Sequence, residues 1–158
     1  MIQHSRRRNA DKGTALVEFS LAAFTILVLL FGIIDVGRAA YAYDWVSNAA
    51  RLGTRFMIVR GTNCPNNPVL LPGGCPATAQ NLSDYITNAS GTGINTSGID
   101  TSQVTVSSEC ITAAVFAPPP CADKWWVQVK VQYEFRFLSP LVPLSWQMQS
   151  ISRVVVQN

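Results

Sequence analysis

Apolar residues follow three rhythms along this chain, and each predicts a different element. From Thr14 to Ile34 they are almost continuous: among these 21 residues only Glu18 is charged. A helix apolar on every side suits a lipid surrounding rather than water. As a helix the run spans about 31 Å, which matches a hydrocarbon core of about 30 Å. At Asp35 the rhythm changes. Val36, Ala39, Ala40, Tyr43, Val46, Ala50, Gly53 and Met57 recur at three- and four-residue steps, while Arg38, Asp44, Asn48, Arg51 and Arg55 fill much of the rest. The helix is therefore predicted to continue to about Val59 as an amphipathic stretch with a narrow, small-residue face. That face can pack on the protein's own globular domain, on neighbouring helices, or on each along a different stretch. Gly32 and Gly37 each disfavour helix by up to about 1 kcal/mol relative to Ala, which marks a place near the membrane exit where the helix loosens.

The third rhythm is strict alternation. Trp125, Val127, Val129, Val131, Tyr133, Phe135 and Phe137 alternate with Trp126, Gln128, Lys130, Gln132, Glu134 and Arg136, and only Trp126 breaks the apolar/polar split. This is a strand with one buried and one solvated face, as antiparallel sheets permit. Pro140 and Pro143 stop it, and a last strand is predicted over roughly 148–156. Val104 and Val106 alternate with polar residues in a strand over 103–107. Between helix and strands, residues 61–76 hold Gly61, Pro65, Pro68, Pro72, Gly73, Gly74 and Pro76 and read as loop. Ala79, Leu82, Tyr85, Ile86 and Ala89 predict a short helix ending near Gly91. Residues 90–102 and the stiff 117–120 segment read as loop. The expected fold is α+β: a long N-terminal helix, half in membrane, packed by its outer half on a short helix and a three- or four-stranded antiparallel sheet.

Glu18 is the residue out of place. A carboxylate inside hydrocarbon costs about 3 kcal/mol or more, so it needs a partner or a task. Cutting the chain after Gly13 supplies one. Thr14 then becomes an N-terminus whose ammonium lies one helical turn from Glu18, at i and i+4, and the carboxylate comes to the positive end of the helix macrodipole.

A glycine with a glutamate at the fifth position beyond it, opening an apolar helix behind a short basic leader, resembles the processing site of type IV prepilins. The wider stretch, Gly13-Thr14-Ala15-Leu16-Val17-Glu18-Phe19-Ser20-Leu21 through Asp35-Val36-Gly37-Arg38 to Asn48-Ala49-Ala50-Arg51, is similar to the TadE-like family, the minor pilins or pseudopilins of the Tad (tight adherence) pilus machinery. The motif-bearing resemblance covers about the first third of the chain, with a looser similarity into the C-terminal strands. It implies a leader over residues 1–13, a transmembrane half-helix over 14–34, an amphipathic half over 35–60 and an exocytoplasmic domain over 61–158. It also implies a single-pass protein of the bacterial inner membrane, N-terminus cytoplasmic and C-terminal domain periplasmic or extracellular, cut by a prepilin peptidase between Gly13 and Thr14. The implied partners are inner-membrane lipid, that peptidase, other pilins and the Tad inner-membrane assembly proteins, with Glu18 as the assembly and pairing residue and a part in adherence. Two further readings stay open: an uncleaved single-pass anchor presenting a binding or adhesin domain, and a pseudopilin of a type II secretion system.

Charge supports the leader. The net charge of +3 lies wholly in Arg6, Arg7, Arg8 and Lys12 against Asp11; the rest of the chain carries eight basic and eight acidic residues. Positive flanks stay in the cytoplasm. With no basic patch beyond the leader, nucleic acid is not an expected partner. An ordinary secretory signal has a shorter apolar core and a small-residue cleavage site, whereas here the run is long and Glu18 interrupts it.

The four cysteines, Cys64, Cys75, Cys110 and Cys121, all lie beyond the apolar run, as expected for disulfides in an oxidising compartment. Three connectivities are formally possible. The equal ten-residue loops favour Cys64–Cys75 and Cys110–Cys121. A zinc site normally uses close pairs such as C-x2-C, and none occurs. The single histidine, His4, lies in the leader, so Ser–His or Cys–His catalysis is not expected of the mature chain. Nothing resembles a phosphate loop. No enzyme activity, cofactor, metal or small-molecule substrate is expected.

Overall fold

The computed structural model describes residues 4–60, 76–88, 91, 93–111, 116–119, 121, 125–138 and 145–156, with side chains in the first helix described from residue 13 onward. The elements in chain order are α1 (His4–Val59), α2 (Ala79–Thr87), a single 3-10 turn (Thr101–Gln103), β1 (Val104–Ile111), β2 (Phe116–Ala117), β3 (Trp126–Arg136) and β4 (Ser145–Val155). They form two compact units. One comprises Met1–Arg38 with Phe137–Pro143, the other Ala39–Arg136 with Leu144–Asn158. The chain is α+β, as its patterning predicts: a long N-terminal helix, a short helix and a small antiparallel sheet.

The second unit holds the sheet, in order β2-β1-β3-β4 with every pair antiparallel. β3 is central and sets the core. Val127, Val129, Val131, Tyr133 and Phe135 are buried, while Gln128, Lys130, Gln132 and Glu134 are only partly covered. Trp126, the one aromatic in the polar series, is 50 % exposed. Neighbouring strands align with this face: Cys110 lies opposite Val127 and Ser108 opposite Val129, and Met148 lies opposite Tyr133.

The outer part of α1 and α2 close the core. Gly53 lets α1 approach so closely that a Cβ there would lie 3.0 Å from Ile86 Cδ1 and 3.2 Å from both Leu82 Cδ1 and Val129 Cγ1. Thr54 is fully buried, and its hydroxyl donates to the Ala50 carbonyl at 2.7 Å, leaving no unsatisfied polar group there. Two longer tethers tie α1 to the loop before β1. Tyr41 Oη donates to the Ser97 carbonyl and Trp45 Nε1 to the Asn95 carbonyl, both at 2.8 Å.

α2 starts and stops for local reasons. Thr78 Oγ1 accepts the Asn81 N–H at 3.2 Å and Asn81 Oδ1 accepts the Thr78 N–H at 3.0 Å, a reciprocal cap. Asn88 ends the helix at φ 56°, a left-handed conformation that Asn tolerates better than most residues.

The structure departs from the patterning in several places. The predicted stripe on α1 docks only in its outer half, where Val46, Ala50, Gly53 and Met57 are buried. Val36 and Tyr43 are exposed, and Ala42, Trp45, Ala49, Thr54 and Phe56 complete the buried set. β1 runs on to Ile111, since β3 offers it an uninterrupted partner, Val104↔Tyr133 through Ile111↔Trp126. Residues Phe116 and Ala117 pair with β1 as a short strand at the margin of what the patterning reads as loop. Finally, α1 begins at His4 rather than near Thr14 and continues through Gly13, Gly32 and Gly37 without a break. The residues before Gly13 include Arg, Ala and Lys, good helix formers, and one glycine does not stop a helix that is favoured on both sides.

Candidate processing and assembly site

The residues singled out by the sequence lie on the inner part of α1. Gly13, Thr14 and Glu18 are all exposed. A Cβ added at Gly13 would meet nothing within 4 Å. Thr14 and Glu18 sit four residues apart on one continuous helix, so they share a face. Around them the surface is apolar: Leu16 is 70 % exposed and Phe19 73 %, and Val17, Leu21, Phe24, Ile26, Leu27, Leu29 and Ile33 are exposed as well. The polar side chains in the run satisfy themselves. Ser20 Oγ donates to the Val17 carbonyl at 2.8 Å and Thr25 Oγ1 to the Leu21 carbonyl at 2.9 Å, the arrangement a helix needs where no water is at hand. Glu18 is left as the one charged group of the run.

The helix start changes one part of the electrostatic picture. With α1 beginning at His4, Glu18 lies fourteen residues inside the helix, about 21 Å from its N-terminal end at 1.5 Å per residue. The macrodipole acts within the first turn. In the uncut chain it therefore does not stabilise the Glu18 carboxylate; it would do so only in a helix that begins at Thr14.

A second carboxylate is held in place, and sequence reading marked it only as a boundary. Asp35 follows directly on Ile34 and is only 5 % exposed. Its Oδ1 accepts the Leu138 backbone N–H at 2.9 Å and faces Arg38 Nη1 at 3.3 Å. The Arg38 pair is the i, i+3 spacing a helix brings together. The Leu138 partner is 103 positions away, and no local signal announces it.

Cys110 and Cys121 are joined by a disulfide with a Cα–Cα separation of 5.4 Å. It links β1 to the chain just beyond β2, across the Cys110↔Ala117 pairing. Cys64 and Cys75, and with them the second expected bridge, lie outside the described residues.

Residues 13–55 match the family of TadE-like proteins. The matched segment is the length of α1 that begins at Gly13 and ends within the docked part of the helix. It takes in Gly13, Thr14, Glu18 and Asp35, and it does not extend into the strands. No curated protein and no solved structure matches the chain. The TadE-like segment supports a pilin-like role related to the Tad pilus. From Gly13 to Val59 the helix is long and apolar enough, by length and composition, to cross a membrane, and its most apolar window is not buried by the fold. This is consistent with a single-pass anchor.

Proposed function

We propose that this chain is a minor pilin or pseudopilin of a Tad-type pilus, a structural subunit rather than an enzyme. In this reading it is anchored in the bacterial inner membrane by residues 14–34, with the N-terminus cytoplasmic and the sheet-bearing domain on the far side. A prepilin peptidase removes residues 1–13, and the mature subunit joins or assists the pilus by packing α1 beside other pilin helices, with a part in adherence. One observation carries the reading most of the way. The TadE-like match falls on a helix whose inner part leaves its large apolar side chains uncovered, from Leu16 to Ile34. Such a surface calls for lipid first and other helices afterwards.

The geometry suggests how each residue serves. A peptidase binds its substrate extended, so the helix must open locally around the Gly13–Thr14 bond. Glycine favours that opening, being up to about 1 kcal/mol less stable in helix than Ala and free of a Cβ that would obstruct the approaching enzyme. After the cut the Thr14 ammonium and the Glu18 carboxylate lie one turn apart, at the helix end where the macrodipole also favours the carboxylate. When subunits leave lipid for a helical bundle, that carboxylate pairs with its own ammonium or a neighbour's. A shifted register leaves it unpaired, at several kcal/mol. Glu18 thus sets the register.

Mass spectrometry of the protein extracted from the membrane of its native host is the direct test. The expected mass begins at Thr14, and Gly13→Val should yield the uncut precursor. A wild-type protein retaining residues 1–13 would remove the processing step. It would favour the second reading, an uncleaved anchor presenting a binding or adhesin domain, which draws on the unbroken course of α1 from His4 through Gly13.

A further inference from the structure

The contact between Asp35 and Leu138 has a use that the helix alone does not explain. Asp35 stands where the apolar span ends, and its carboxylate is buried. A buried carboxylate needs hydrogen bonds in exchange for lost water. One of them comes from the Leu138 backbone N–H at 2.9 Å, in a segment belonging to the same compact unit as the inner part of α1. The chain after β3 is thereby fixed at the level of the helix where lipid would give way to water. Yet the Leu138 side chain is not tucked in: it is 60 % exposed. It also opens an uncharged sequence, Leu138-Ser139-Pro140-Leu141-Val142-Pro143-Leu144. An apolar side chain pinned outward is unfavourable in water. At the boundary between headgroups and acyl chains it is favourable, because the apolar group enters lipid while nearby backbone still reaches water and headgroups.

We propose that Leu138 is a second membrane contact, an interfacial one, held at the bilayer surface by Asp35. The occupant of this surface is lipid, since the contact continues the apolar span that ends at Ile34. The anchor is then two-point: a spanning helix, and an apolar residue seated in the near leaflet that resists tilting and rotation of that helix. The proposal rests on the membrane-anchor part of the function proposed above.

The test uses the full chain in vesicles of phosphatidylcholine and phosphatidylglycerol at low protein-to-lipid ratio, with Cys64→Ser and Cys75→Ser throughout. A nitroxide is attached in turn to Leu27→Cys within the span, to Leu138→Cys, and to Ser107→Cys on an exposed strand position. Collision with oxygen, which partitions into lipid, is compared with collision with a water-soluble nickel chelate. The expected oxygen-to-nickel ratio at 138 is severalfold that at 107 and below that at 27. Adding Asp35→Ala should bring it down to the value at 107. A ratio at 138 equal to that at 107, with 27 still lipid-like, overturns this proposal and leaves the anchor standing. A water-like label at 27 overturns the anchor and this proposal with it. A label at 138 shielded from both reagents means a protein neighbour and overturns the lipid contact. A ratio unchanged by Asp35→Ala overturns the role of Asp35 in holding it.

Discussion

The two parts of α1 are built from the same element and solve opposite problems. Between Leu16 and Ile34 the helix carries large apolar residues, leucine, isoleucine, phenylalanine and valine, and leaves them exposed. Between Ala42 and Met57 the buried positions include Ala42, Ala49, Ala50, Gly53 and Thr54, which are small, with Trp45, Val46, Phe56 and Met57 between them. Among the described residues bulk on the inner part is left uncovered, and on the docked part small residues stand beside buried Trp45, Phe56 and Met57. Hydrophobicity alone therefore does not tell which stretch of a helix holds the fold together. Small residues such as Gly53 mark where the helix approaches its domain closely, which a lipid-facing surface does not require.

The largest effect should come from the core that the docked part covers. Phe135 is 1 % exposed and among the largest fully buried side chains. Phe135→Ala should lower stability by about 3–5 kcal/mol through lost burial and the cavity left behind. Phe24→Ala removes the same atoms from an exposed position on the inner part of α1 and should leave melting of the sheet domain unchanged. Near-UV circular dichroism of both variants in detergent checks the contrast. Equal losses would mean that the inner part of α1 stabilises the domain, and the division drawn above would be wrong.

Gly53 sharpens the same comparison at smaller scale. Gly53→Val puts side-chain atoms where Ile86, Leu82 and Val129 already stand, at 3.0 to 3.2 Å from the first added carbon. Overpacking of this kind costs about 1–3 kcal/mol. For a domain of this size each 1 kcal/mol lowers the melting temperature by roughly 4–8 °C. At Gly32 an added Cβ meets nothing within 4 Å, so Gly32→Val should leave that temperature where it is. Two glycines on one helix thus give opposite outcomes for a reason visible only in the fold.

Gly53 also shows where sequence reading stops. Alternation in β3 was legible because every second residue from Val127 to Phe135 is apolar and every one of them is buried. The apolar span was legible from length and composition, and Gly13, Thr14 and Glu18 from their spacing. In β4 the positions opposite Val131 and Val129 are Ser150 and Ser152, so the strand carries little apolar alternation, and its first residues, Ser145 to Gln147, are exposed and do not mark its start. The docking face of α1 is legible at Val46, Ala50, Gly53 and Met57 but not at its start, because Val36 and Tyr43 fit the helical period as well as Ala42 and Trp45 do. Which set is buried depends on what packs against the helix. Asp35 looked like an ordinary polar boundary, since the backbone amide that binds it lies 103 residues away. Periodicity reports which side of an element is apolar; it does not report the partner.

Glu18 should have the smallest effect on the fold and, under the proposed function, a large effect on assembly. The carboxylate is exposed on the inner part of α1. Glu18→Ala should therefore leave the melting temperature of the sheet domain unchanged. It should leave membrane insertion unchanged or slightly improved, since an ionised group is removed from an apolar run. Cleavage should largely survive, because the scissile bond follows Gly13. What should be lost is association: a neighbour's Thr14 ammonium, once buried, has no counter-charge, and the register of the bundle is no longer fixed. The mutant is expected to accumulate as processed, membrane-bound, folded protein while pilus yield drops. The comparison is made at equal amounts of processed subunit, with melting curves run on the same preparations. Normal assembly under those controls would show that Glu18 is not the pairing group. A lowered melting temperature would show instead that the inner part of α1 contributes to the domain, and would break the division between its two parts.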